Sequence, residues 1–239
     1  MRKRPKIEVI DRELFQKIHH ASLKILKETG VKFHHQGVLD LFKKHGCKVD
    51  NEIVFITPDT IEAAIESTPK LFKWYPRTQS SPIMVGSDEN RVLVQPNVGP
   101  VWIEDFDRGR RRATLEDCAN IQKIIQGSDV VPLAGGIPVE PFDIEPSHRH
   151  LHVLYETLKH TDKPVVCWTA QRGQAKEMLD MIEIAVGGKD ELFNKTYAAV
   201  SVDPITPLSW SEDSLDNIIE YTRRKQAVFL PPCVMPGLN

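Results

Sequence analysis

Apolar positions across residues 1–80 recur at three- and four-residue spacings, the period of a helix buried along one face. Leu14, Phe15, Ile18, Ala21, Leu23, Ile25 and Leu26 form one such stripe, with Asp11 placed to cap it and Gly30 where a left-handed C-cap forms most easily. Val38, Leu39, Leu41 and Phe42 predict a second helix that stops at Gly46. Ile53–Ile56 reads as a short strand, and Thr57-Pro58 opens a third helix with a cap residue followed by proline. The spacing predicts an N-terminal helical region over residues 1–80, a packing or covering module without a concentration of catalytic residue types.

Beyond it the pattern becomes that of an α/β domain. Ile83–Gly86 and Arg91–Gln95 read as a hairpin or the first strand, and Val130–Gly136, Lys163–Trp168, Tyr197–Val202 and Ala227–Leu230 are apolar runs of strand length. Between them lie a helix opened by Thr114 with Asp117 and closed by Gly127, a helix near Ser147–His160, and a helix over Gln174–Val186. A last helix, carrying Leu215, Ile218, Ile219 and Tyr221, follows Ser209-x-x-Glu212, which matches a capping box. Continuously apolar strands belong to parallel sheets covered by helices. The fold class is therefore α/β, an incomplete TIM (β/α) barrel over residues 81–239 with about five units where a closed barrel has eight. A doubly wound sheet is the alternative, weakened by the lack of G-x-G-x-x-G after the first strand. A partial barrel leaves Ala227–Leu230 as an open edge, so a homo-oligomer or association through that edge is expected.

Charge and composition narrow the partners. The 239 residues include 31 Lys and Arg against 33 Asp and Glu, a formal net charge of −2, so no whole-chain field draws in nucleic acid or an anionic membrane. The basic run Arg108–Arg112, with Asp105 and Asp107 before it, is read as a solvated turn or a contact with a phosphate or acidic surface. Cys47, Cys118, Cys167 and Cys233 form no C-x-x-C pair, which argues against a zinc ribbon or a disulfide framework. The basic N-terminus leads into no apolar signal core, and no run has the length of a membrane span. A soluble, cytoplasmic, reducing setting is expected.

In a parallel barrel, function collects where strands end. Those positions are Gln95, Asn97, Gly135, Gly136, Trp168, Thr169, Ser201, Asp203, Thr206, Cys233 and Met235. Few are ionisable, so the mouth suits binding and orientation better than acid-base chemistry, Asp203 being the one evident proton handler unless Asp203-Pro204 is a turn device. Trp168 is either core or a face for a quaternary ammonium group with Asp203 as counter-charge. Asn97, Trp168, Ser201, Asp203 and Cys233 are the candidate substrate-binding residues, with no catalytic residue assigned. His148 and His152 fall four apart on one helix face, but H-E-x-x-H and a third ligand are missing, so no metal site is expected. Cys167 and Cys233 sit at strand ends without a base nearby in sequence and are read as small buried hydrophobes rather than nucleophiles.

Four segments, Ala21–Phe33, Arg112–Asp117, Leu158–Pro164 and Asp203–Leu208, together and in that order resemble the trimethylamine methyltransferase family, whose non-pyrrolysine members include glycine betaine methyltransferases. The resemblance runs from near the N-terminus to the last residue. It implies a TIM-barrel enzyme with an N-terminal helical region that moves a methyl group from a methylated amine to cob(I)alamin carried by a separate corrinoid protein. Family chains are longer, and the later barrel strands, where pyrrolysine or its replacement lies, have no counterpart here. This chain is therefore expected to be inactive alone. The alternative is a non-catalytic binding or assembly module.

Overall fold

The computed structural model describes residues 9–78, 80–86 and 92–231. The chain opens with helix α1 (Arg12–Glu28), whose first turn is capped by Asp11 accepting from the Leu14 amide at 2.7 Å. Gly30 follows at φ +79°, where an added Cβ would lie 2.7 Å from Ile53 Cγ2 and 2.9 Å from the Val54 carbonyl, so only glycine lets the chain pass here. Next come β1 (Val31–Phe33), α2 (Gln36–Lys44), β2 (Lys48–Asp50), β3 (Ile53–Phe55) and α3 (Pro58–Ser67). The region expected to be helical thus also holds a small antiparallel sheet, in which β3 pairs with both β1 and β2. Three-residue strands interrupted by charged residues, Lys32 in β1 and Lys48 and Asp50 in β2, show no apolar run of the kind that marks β3, which is why β1 and β2 escape sequence reading.

Two hairpins follow, β4 (Phe72–Trp74) with β5 (Ile83–Val85), and β6 (Trp102–Asp105) with β7 (Gly109–Arg112). The boundary expected near residue 80 falls inside the first of them. Helix α4 (Leu115–Gln126) starts with the expected capping box, formed by Thr114 and Asp117. The remaining elements are β8 (Ala134–Gly135), α5 (Arg149–His160), β9 (Val165–Trp168), α6 (Gln174–Val186), α7 (Lys189–Asn194), β10 (Ala198–Ser201), β11 (Ser209–Trp210), α8 (Glu212–Arg223) and β12 (Ala227–Phe229).

Strands β8, β9, β10 and β12 are parallel, and each lies beside the one before it. Helices α4, α5, α6 and α8 pack against one another in the same sequence, which places them in one layer. A doubly wound sheet reverses strand order at a switch point and carries helices on both faces; this sheet has no reversal. Val165, Cys167, Ala198 and Val200 turn toward the helices. Val166, Ala199, Ala227 and Phe229 turn the other way, onto Trp74, Leu133, Phe72, Ile83, Val85 and Leu93. Burial on both faces explains why these strands read as unbroken apolar runs. Among the described residues the parallel sheet holds four strands, where about five units are expected, because Ile83–Val85 pairs antiparallel with β4 instead of joining it.

Cationic side chains tie the lower rim, where strands begin. Lys163 Nζ donates to the carbonyls of Ile125, Ser128 and Val131 at 2.5, 2.6 and 2.7 Å, closing the end of α4. The Arg77 guanidinium donates to the carbonyls of Leu158 and Thr161 at the end of α5. At the upper rim, β11 joins β1 in parallel, with Lys32 and His34 donating to the Leu208 and Trp210 carbonyls. This pairing draws Ser209 into a strand, so the expected Ser209-Glu212 capping box does not form and Ser211 caps α8 instead. The N-terminal module therefore holds the loop that leaves β10.

Candidate functional site

A recess of about 440 Å³ opens on the inner face of the parallel sheet. Its base is aromatic: Trp74 and Phe229 meet at 5.7 Å between ring centroids, and Trp74 is locked by donating Nε1–H to the Tyr197 carbonyl at 3.0 Å. Val85, Leu93 and Leu133 form its walls, and Gln95, Ser201, Leu230 and Pro231 reach its upper part. Gln95 and Ser201 are the polar groups among these, so the recess offers hydrogen bonds but no ionisable side chain. A larger cavity of 600 Å³, between α2 and α3, includes no strand-end residue.

The sequence-selected residues divide on inspection. Ser201 lines the recess, and its carbonyl accepts from Thr169 Oγ1 at 2.8 Å. Trp168 sits opposite Ser201 in the β9–β10 register but packs against the helix-side cluster and the cluster of Ala113, Cys118, Val139 and Val153. Asp203 is half-buried two residues beyond Ser201; its carbonyl accepts from Ser214 Oγ at 3.2 Å, while its buried Oδ1 has no hydrogen-bond partner among the described residues. Asn97 is exposed, its Oδ1 accepts from the Val98 amide, and its backbone passes beside Gly136. Cys233 and Met235 lie outside the described residues. Trp74 and Phe229 were missed because Trp74 arrives from a three-residue strand of the covering hairpin, far from the sheet in sequence.

Gly135 and Gly136 shape the mouth at the end of β8. A Cβ on Gly135, at φ +89°, would meet the Val166 carbonyl at 2.2 Å, so β8 can approach β9 only as glycine. The loop after β9 is fixed to α8: the Ala170 amide and carbonyl bond the Asn217 side chain, and Asp213 and Asp216 accept from the amides of Arg172 and Gly173. These bonds hold the strand-end loops in place.

Nucleophilic roles fail for the described cysteines. Cys167 is buried against Tyr221 and Cys118 donates to the Val139 carbonyl; burial pushes both thiols up to about 12. His148 and His152 are both exposed, and no group of three or more ligand-type side chains lies together among the described residues. His150 between them is instead buried, with Nε2 at 2.7 Å from Glu177. No helix among the described residues is long and apolar enough to cross a membrane.

The sequence is similar to corrinoid- and amine-linked methyltransferases. It is 31% identical to the glycine betaine methyltransferase of Desulfitobacterium hafniense Y51 over 98% of this chain and 48% of that protein. It is 29% identical to a trimethylamine methyltransferase of another strain of that species, over 89% of this chain and 43% of that protein. It is 26% identical to a proline betaine:corrinoid methyltransferase of Eubacterium limosum, over 93% and 47%. The chain thus spans about half the length of the curated relatives it matches. With residues 1–239 matching throughout, the chain belongs to the trimethylamine methyltransferase family.

Proposed function

We propose that this chain forms part of a methyltransferase that passes a methyl group from a quaternary amine such as a betaine, or from trimethylamine, to the cob(I)alamin of a separate corrinoid protein. The observation that carries this reading is the recess at the strand ends, lined by apolar and aromatic side chains with Gln95 and Ser201 but no ionisable group; Asp203, two residues beyond Ser201 and with an Oδ1 that has no partner among the described residues, is the proposed counter-charge. A half-buried carboxylate oxygen without a hydrogen bond is costly, and an approaching cation offsets that cost. The half-buried Phe229 ring in the recess, backed by the fully buried Trp74, is the proposed π face for the cation.

A corrinoid, when its carrier protein is docked, supplies an electron-rich nucleophile for the methyl group. The residues here need supply neither proton nor base when the substrate nitrogen already carries positive charge. Their proposed task is alignment: Gln95 and Ser201 in the recess orient polar substituents, and Asp203 holds the ammonium. A neutral amine leaving group would need no proton either, which favours quaternary substrates over chemistry that depends on a general acid. In this reading the four strands of the parallel sheet are an arc of a (β/α)8 barrel, and the protein works in a reducing cytoplasm, with which the free Cys47, Cys118 and Cys167 are compatible.

The alternative reading is a non-catalytic module that assembles with a complementary chain. One assay separates the two: methyl transfer from a panel of methylated amines to free cob(I)alamin, run on this chain and on a chimera joining it to the second half of the glycine betaine relative. Transfer by the chimera and little by the chain supports the methyltransferase; a folded chimera without transfer supports the module.

A further inference from the structure

The β6–β7 hairpin presents two unlike faces. On one, Arg111 forms a bidentate pair with Asp117 at 2.6 and 2.8 Å and reaches Asp105, which fastens the hairpin to the first turn of α4. On the other, the guanidinium of Arg110 lies 5.0 Å from the Trp102 ring and that of Arg112 lies 4.2 Å from the same ring. Arg112 also lies 4.2 Å from Phe142, which Arg149 approaches at 5.8 Å, so three arginines and two aromatic rings alternate in one ladder. Arg149 is paired with Glu140, whereas Arg110 and Arg112 are exposed and in no ion pair among the described residues. Glu104, across the hairpin from Arg110, is exposed and is likewise unpaired. At the tip, Phe106 is fully exposed.

The hairpin's position gives this surface meaning. The segment before it is bonded to the loop that leaves the C-terminal end of β8: Gly99 donates to Ile137, and Glu140 donates to Pro100. The ladder therefore stands on the same rim as Ser201 and Asp203. Arginine, tryptophan and phenylalanine are the residues that dominate protein interfaces, and a guanidinium stacked on a ring keeps its outer edge free for a carboxylate. A second copy docked isologously would set arginine against arginine. Nucleic acid is disfavoured by the carboxylates of Glu104 and Asp107 beside the ladder and by the chain's net charge of −2.

We propose that the ladder of Arg110, Trp102 and Arg112, with Phe106 at the hairpin tip, is the docking surface for a protein partner that presents carboxylates around an apolar pocket. Resting on the function proposed above, the partner is the protein that carries the methyl acceptor to the strand-end mouth. Glutamates of the partner lie along the guanidinium edges, and Phe106 enters its pocket.

The test measures binding of the full chain to a purified corrinoid-binding methyl-acceptor protein reconstituted with hydroxocobalamin, at low and high salt. Single-stranded DNA and phosphatidylserine vesicles serve as comparison probes. Arg110→Glu with Arg112→Glu, and separately Phe106→Ser, should each weaken binding at least tenfold with an unchanged circular dichroism spectrum, because Arg111 and not these residues anchors the hairpin. Salt should weaken the wild type and not the charge-reversed variant. No wild-type binding, equal binding by both variants, or charge-dependent binding to DNA or vesicles alone overturns the proposal. Transfer to free cob(I)alamin by the chimera bypasses docking: its absence counts against the function, whereas its persistence beside indifferent protein binding counts against the docking surface alone.

Discussion

Truncating Trp74 tests the packing that makes the recess. The side chain is fully buried, touches Phe72 and Phe229, and donates to the Tyr197 carbonyl. In Trp74→Phe that carbonyl keeps its bond from the Val165 amide, so no buried acceptor is orphaned. The loss is one hydrogen bond, about 1 kcal/mol, and roughly 40 Å³ of side chain at about 24 cal/mol per Å³, another ~1 kcal/mol. Trp74→Ala removes the whole ring system and should cost about 4 kcal/mol. At roughly 2–4 °C per kcal/mol for a chain of this size, the melting temperature should fall by about 6 °C for Phe and by about 12 °C for Ala. Urea unfolding followed by circular dichroism gives the free energies, with agreement between near- and far-ultraviolet signals checking the two-state assumption. A cost below about 1 kcal/mol for Ala, or equal costs for Phe and Ala, would refute the view that Trp74 supports the inner face.

Two further outcomes follow from the rims. Lys163→Met strips three carbonyls of one cation and should cost about 3 kcal/mol, read as a fall of roughly 10 °C in melting temperature; a fall of under about 2 °C would contradict the proposed closure of α4. The Arg111 guanidinium holds the Asp117 carboxyl well below the usual range, and Asp105 is lowered to about 2, chiefly by Arg108. Both carboxyls titrate near pH 4 when unfolded, so their stabilisation is complete above about pH 4 and declines as pH falls toward 2. Melting temperature should therefore drop more steeply between about pH 4 and 2 in the wild type than in Asp117→Asn, and parallel slopes would count against the pairing.

The parts legible in the sequence were those with a long period or local chemistry. Helix α6 occupies its expected residues, and the Thr114–Asp117 capping box forms as read, because caps depend on neighbours a few residues apart. The small N-terminal sheet, the capture of Ser209 by β1, and Trp74 beneath the parallel sheet depend on partners far along the chain, which no local pattern encodes. The four segments that resemble the family prove mainly to be anchors. Gly30 allows a close crossing, Asp117 holds the hairpin, Lys163 closes α4, and the Asp203–Leu208 stretch leads into β11. Of the candidate site residues, Ser201 lines the recess and Asp203 has the unpartnered oxygen, while Trp168 belongs to the packing between sheet and helices.

The central claim is that Asp203 receives a substrate cation at the strand-end mouth. The most direct measurement compares chimeras carrying Asp203 and Asp203→Asn in methyl transfer from quaternary amines to free cob(I)alamin. The near-isosteric change removes charge from an oxygen that has no partner among the described residues, so melting temperature should be unchanged or raised while transfer falls at least tenfold. Equal transfer by the two proteins would contradict the account.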